Sequence, residues 1–146
     1  MNGAKAFFDT NVLLYMYGGD VGKQARAKEL FRQYAHAGRM LLSTQVVQEF
    51  YAAGSRKLGM PRPELRDATA ALLDSPLIIV GPLQITSAIQ NEERYRISFW
   101  DALILAAAES GGAAILYTED LNDGQQYGTV LVRNPFRSPD RSLSTN

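Results

Sequence analysis

Ala4-Lys5-Ala6-Phe7-Phe8-Asp9-Thr10-Asn11 is the stretch that decides the fold. Its apolar run is short and does not alternate, which is how a strand covered on both faces reads. It halts at Asp9-Thr10-Asn11, three residues that favour helix caps. Val12, Leu13, Tyr15, Met16 and Tyr17 then predict a short helix closed by Gly18-Gly19. The unit is therefore a buried strand that runs through an acid into a helix, and the pattern recurs downstream.

Asp20 can cap a helix reaching about Ala37, with Ala27, Leu30, Phe31 and Tyr34 at helical spacing and Gly38 as its stop. Met40-Leu41-Leu42 reads as a second strand. Ser43 or Thr44 caps the next helix, which passes Val46, Val47, Phe50 and Tyr51 and ends near Leu58, before Gly59 and the Pro61–Pro63 pair. Further helices are expected over 63–73, 83–97 and 100–109, with strands over 77–80, 113–117 and 130–132. Short apolar strands alternating with longer amphipathic helices specify an α/β fold with a mainly parallel sheet.

Composition narrows the chemistry. The chain has 146 residues, which suits one ordinary domain, and 46% of them are hydrophobic, enough for a sizeable core. We expect the domain over residues 1–136 and a loose tail over 137–146, where little can be buried. Fifteen basic and fifteen acidic residues cancel, which argues against a highly basic nucleic-acid coat protein. There is no cysteine, so thiolate metal sites, disulfides and thiol nucleophiles are excluded together. One histidine, His36, rules out a multi-histidine site and reads as a surface residue. No window approaches the roughly 18 apolar residues of a membrane span, and no signal-peptide core is present, so a cytoplasmic location and no membrane partner are expected.

Acid–base or metal chemistry must therefore rest on carboxylates. In an open parallel sheet, ligands bind beyond the carboxyl ends of the strands. Asp9 follows the first strand, Glu49 lies in the second turn of the helix after the second strand, and Asp101 begins the helix before the fourth. Asp120 and Asp123 follow that fourth strand. Each has a plain alternative: Asp9 as an N-cap alone, Asp101 as a favourable first-turn charge. Glu49 is more telling, because its neighbours Val46, Val47, Phe50 and Tyr51 are apolar. A carboxylate at the margin of a buried face is costly unless Arg, Lys or a metal compensates it. Carboxylates and water are the natural ligands of Mg²⁺ and Mn²⁺, and metal-bound water is a better nucleophile toward phosphorus.

These segments together resemble the PIN-domain ribonucleases, and most closely the VapC-type toxins of toxin–antitoxin pairs. The matching stretches are Phe7-Phe8-Asp9-Thr10-Asn11-Val12-Leu13-Leu14-Tyr15, Ser43-Thr44-Gln45-Val46-Val47-Gln48-Glu49-Phe50, Ser98-Phe99-Trp100-Asp101-Ala102-Leu103-Ile104 and Leu116-Tyr117-Thr118-Glu119-Asp120-Leu121-Asn122-Asp123-Gly124, with Val132-Arg133-Asn134-Pro135-Phe136 closing the domain. Each motif is weak alone. Their order, and intervals of 40, 52 and 19 residues between Asp9, Glu49, Asp101 and Asp120, make the combined signal.

The resemblance implies a flavodoxin-like α/β/α sandwich, and a Mg²⁺- or Mn²⁺-dependent endoribonuclease site. It matches Asp9, Glu49 and Asp101 to three core acids, with Asp120 as the first choice for the fourth and Asp123 as the second. Thr10, Asn11 and Thr118 would support the site, and Glu119 would face solvent. The resemblance also implies an RNA substrate, a small antitoxin partner and a homodimer. The apolar residues Leu13 to Tyr17 and Val46 to Tyr51 would supply part of the partner groove.

RNA must reach an acidic hole, so cations should flank it. Candidates are Lys23, Arg26, Lys28, Arg32 and Arg39; Arg56, Lys57, Arg62 and Arg66; and Arg94 and Arg96 beside Asp101. For any one of them a solvated helix charge is the plainer reading. Tyr15 and Tyr17 stack on bases or pack against protein.

Two other classes are weaker. A phosphoaspartate phosphatase needs a second Asp where Asn11 stands, and a lysine after Lys57, where there is none. An inactive PIN-like scaffold would be expected to have lost a core acid, and all four are present. An RNA-processing nuclease without an antitoxin remains open at the level of sequence.

Overall fold

In a computed structural model describing residues 3–137, β1 (Lys5–Phe8) lies at the centre of a six-stranded sheet. Ala6, Phe7 and Phe8 are fully buried, as the continuous apolar run predicts. Asp9 ends the strand and caps α1 (Thr10–Tyr15) by accepting the Thr10 N–H at 2.7 Å. Then follow α2 (Val21–Ala35), β2 (Met40–Ser43), α3 (Thr44–Leu58), α4 (Arg62–Leu73), β3 (Leu77–Ile78), α5 (Pro82–Tyr95), α6 (Phe99–Ser110), β4 (Ala113–Tyr117), β5 (Gln126–Tyr127) and β6 (Val130–Arg133).

The strand order is β3-β2-β1-β4-β6-β5, with every neighbouring pair parallel except β5 and β6. From β1 the chain steps outward to β2 and β3, then returns across the sheet to β4. Right-handed crossovers put α1 to α4 on one face and α5 and α6 on the other, giving three layers. The order in which strands are added to the sheet reverses between β1 and β4, and a doubly wound sheet opens a ligand crevice at such a point. Register sets Phe8 opposite Tyr117, so Asp9 and Thr118 emerge side by side.

Helix α6 is buried continuously from Ala102 to Ala108 and packs on β2, β4 and β6, which is why its sequence is apolar on all sides. Helix α3 buries Val46, Val47 and Phe50 against the core, and Ser43 caps it through the Val46 N–H at 3.3 Å.

Four expectations about elements need correction. Helix α5 ends at Tyr95, not at residue 97. The third strand stops at Ile78, not at residue 80, because its one neighbour β2 ends at the Ser43–Ile78 pair. The Val80 N–H donates instead to Thr44 Oγ1 at 3.1 Å. Helix α2 ends at Ala35, short of Ala37. A hairpin strand, β5, was not expected; Gly128, at φ +58°, turns it back onto β6 and buries Tyr127. The expected tail falls almost wholly on residues 138–146, outside the described residues. Among the described residues no helix is long and apolar enough to cross a membrane.

Candidate functional site

A cavity of about 590 Å³ opens at the carboxyl edge of β1 and β4. Asp9, Glu49, Asp101 and Asp120 all line it, together with Thr10 and Asn11. Four separate segments thus bring their acids to one place, as the topology required. Among the described residues none of the four is within ion-pair distance of a basic side chain.

Asp9 lies deepest, 5% exposed. Thr118, itself fully buried, donates its hydroxyl to Asp9 Oδ2 at 2.7 Å, while Oδ1 takes the Thr10 N–H. Burial pushes this carboxyl up to about 7, against the pull of those two hydrogen bonds and with a further push from Asp120 and Glu49. The Thr118 hydroxyl also accepts the Asp120 N–H at 3.0 Å, so one side chain orients both acids. Asn11 Nδ2 donates to Asp120 Oδ2 at 3.1 Å, and Thr10 Oγ1 donates to Glu49 Oε1 at 2.8 Å. Asp101 and Asp120 are also raised, chiefly by burial and then by neighbouring carboxylates. The three polar supports named from sequence therefore all touch an acid.

Several residues have roles the sequence reading missed. Gln45 Nε2 bridges Glu49 Oε2 at 3.5 Å and the Trp100 carbonyl at 3.3 Å, tying α3 to α6. A glutamine one turn before Glu49 on the same helix face was the available signal. Trp100, the sole tryptophan, lines the cavity and is 62% exposed. Glu119 does not face solvent: it lines the cavity and pairs with Lys23 Nζ at 2.6 Å. Lys23 in turn donates to the Tyr15 hydroxyl at 3.3 Å, and the Tyr15 ring packs edge-on against Phe136 with centroids 4.8 Å apart.

Asp123, the second choice for the fourth acid, does not line the cavity. Its Oδ1 accepts the Asn134 N–H at 2.9 Å, which closes the loop before β5 onto the chain after β6. Asp120 does line it. His36 is exposed and also lies away from the cavity. Tyr17 packs on Phe50, with centroids 5.6 Å apart, rather than opening toward the cavity. Of the apolar residues expected to form a partner groove, Leu13, Val46 and Phe50 are buried in the core, whereas Leu14 and Tyr15 line the cavity and Tyr51 is exposed.

Among the described residues no three carboxyl groups lie close enough together to ring a single ion. The donors nevertheless suit a hard cation. They are oxygens throughout, and two further acceptors in the cavity wall, Asn11 Oδ1 and Gln45 Oε1, are buried without a partner. Such a set fits a cation that keeps several of its waters.

The family model described as the PIN domain matches residues 6–123. Among solved structures, the chain is similar to VapC20 of Mycobacterium tuberculosis, a sarcin–ricin-loop-cleaving toxin, at 22% identity and a TM-score of 0.66, covering 80% of this chain and 90% of that one. It is likewise similar to a toxin–antitoxin complex from Klebsiella pneumoniae, at 21% identity and a TM-score of 0.69, covering 90% of this chain and 98% of that one. No curated protein sequence gives a significant match.

Proposed function

The chain belongs to the PIN-domain family, and from that membership and the cavity above we propose that it is a Mg²⁺- or Mn²⁺-dependent endoribonuclease, the toxin of a toxin–antitoxin pair. The observation that carries the reading is the convergence of Asp9, Glu49, Asp101 and Asp120 on one cavity with, among the described residues, no basic side chain within ion-pair distance of any of them. Clustered carboxylates repel one another and resist ionising. A divalent cation removes that penalty, and these acids would hold it in part through the waters it keeps.

Each supporting residue has a task. Thr118 and the Thr10 N–H fix both oxygens of Asp9, so its carboxylate needs no rearrangement to bind. Asn11 leaves one oxygen of Asp120 free, and Thr10 leaves Glu49 Oε2 with only the long contact to Gln45. When bound, the cation supplies activation of water and neutralisation of charge on the phosphoryl oxygens. Glu49 and Asp101 lie beside Trp100 at the cavity wall, where a substrate strand can enter.

The similarity to VapC20 and to the Klebsiella complex supports the toxin role, and with it a small antitoxin, an RNA substrate and a cytoplasmic location. Leu83, Ile85 and Ile89 are exposed on α5 and support a protein contact, which we assign to a homodimer.

Incubation with a mixed RNA pool, in Mg²⁺ or Mn²⁺ against EDTA, tests the reading. Cleavage is expected with metal, and is lost in EDTA and in Asp9→Asn. Cleavage that survives both changes, or none by folded protein freed of antitoxin, contradicts it.

A further inference from the structure

The cavity is bipolar. Along α3, Glu49, Ala52, Ala53, Arg56 and Lys57 all line it, so one helix brings an acid and, about two turns further on, two cations to the same wall. Seven residues of helix separate Glu49 from Arg56, an axial distance of about 10 Å. Gly18 and Gly19 lie on the same wall, and a β-carbon on Gly18 would come within 3.1 Å of Leu58.

Other cations are placed differently. Lys23 is bound to Glu119, Arg26 to Glu29 and the Pro135 carbonyl, and Arg39 to the Ala4 carbonyl. Arg94 and Arg96, close to Asp101 in sequence, do not line the cavity. Arg56 and Lys57 do line it, and among the described residues neither forms an ion pair. Basic residues in a last helical turn are favourable for the helix itself. That alone does not account for two cations, without an ion pair among the described residues, lining the same cavity as four acids.

We propose that Arg56 and Lys57 bind a backbone phosphate of the RNA next to the scissile one. On the ribonuclease reading, on which this rests, α3 then acts as a ruler. Its acidic turn faces the reacting phosphate, its basic turn anchors the neighbour, and the strand is held across the acids in one direction. The contact is to phosphate, so it positions the strand and carries no base preference.

The test uses full-length Asp9→Asn protein, inactive on the reading above, and a labelled 12-nucleotide single-stranded RNA of mixed sequence, titrated at several salt concentrations. Each phosphate contact contributes about 0.7 to the slope of log affinity against log salt for single strands. Adding Arg56→Gln and Lys57→Gln removes that one phosphate contact and should flatten the slope by about 0.7, so that between 50 and 200 mM salt the parent loses roughly 2.6-fold more affinity than the variant. Adding Lys28→Gln and Arg32→Gln instead removes the same charge from the exposed face of α2 and should leave the slope as it was. In active protein, Arg56→Gln with Lys57→Gln should raise KM and leave kcat within about 2-fold, as expected for uniform binding away from the reacting atoms. An unchanged slope in the Arg56/Lys57 variant, an equal loss in the Lys28/Arg32 variant, or a fall in kcat instead of a rise in KM overturns the proposal while leaving the ribonuclease reading intact. Failure of the parent to bind RNA overturns both.

Discussion

Replacing Asp9 by Asn should stabilise the metal-free protein above neutral pH. Asp9 is 5% exposed, and burial raises its carboxyl from 3.8 to about 7. The folded state therefore holds a proton that the unfolded chain releases near pH 4. A raised acid contributes stability that is complete below the unfolded pKa and is lost as pH rises through the folded one. A rise of this size corresponds to about 4 kcal/mol at most, of which roughly 2–3 kcal/mol is lost between pH 5 and pH 8. Asn has the same shape and no charge, so it escapes this loss. Its Oδ1 keeps the Thr10 N–H, and only the Thr118 contact must reorganise. Urea unfolding in EDTA, followed by the fluorescence of Trp100 and by circular dichroism, gives both stabilities. The gap between variant and parent should shift in the variant's favour by roughly 2–3 kcal/mol from pH 5 to pH 8. A gap that is the same at both pH values would refute the claim that this buried carboxyl carries a folding cost.

Other consequences are separable from that one. Mg²⁺ or Mn²⁺ should raise the Tm of the parent more at pH 8 than at pH 5, because protons compete for Asp9, and Asp9→Asn should flatten this dependence in a thermal melt. Thr118→Val removes the hydroxyl shared by Asp9 and Asp120 and should weaken metal binding about 10-fold or more, read by titration against Trp100 fluorescence. Phe50→Ala, in the core beneath α3, should cost about 3–5 kcal/mol in urea unfolding. Lys23→Met breaks a solvent-screened ion pair with Glu119 and should leave the urea midpoint of unfolding close to that of the parent.

How much was legible in the chain depended on how local each signal was. Phe7-Phe8-Asp9-Thr10 announced a strand, a cap and a helix within a few residues, and the structure has all three. Helix α6 was visible for the same reason, with Ser98 capping it and Ala102 to Ala108 apolar throughout. The two-residue strands β3 and β5 were misjudged because pairing with a neighbour defines them more than any pattern of their own. The resemblance put Asp120 ahead of Asp123, three residues further along one loop, as the fourth acid. In the structure Asp120 lines the cavity and meets Asn11, whereas Asp123 takes the Asn134 N–H away from it. Glu119 was misread because its partner, Lys23, lies 96 residues away. Arg56 and Lys57 could not be told from the other cations by sequence, since only the packing of α3 shows which of them face the cavity.

The central claim is that four particular carboxylates form one metal-dependent nuclease centre. Its most direct measurement is RNA cleavage by Asp9→Asn, Glu49→Gln, Asp101→Asn, Asp120→Asn and Asp123→Asn, assayed side by side in Mn²⁺ after each is shown to be folded. The account predicts that the first four lose cleavage and that Asp123→Asn stays within about 2-fold of the parent. Parental cleavage by any of the first four, or its loss in Asp123→Asn alone, would contradict it.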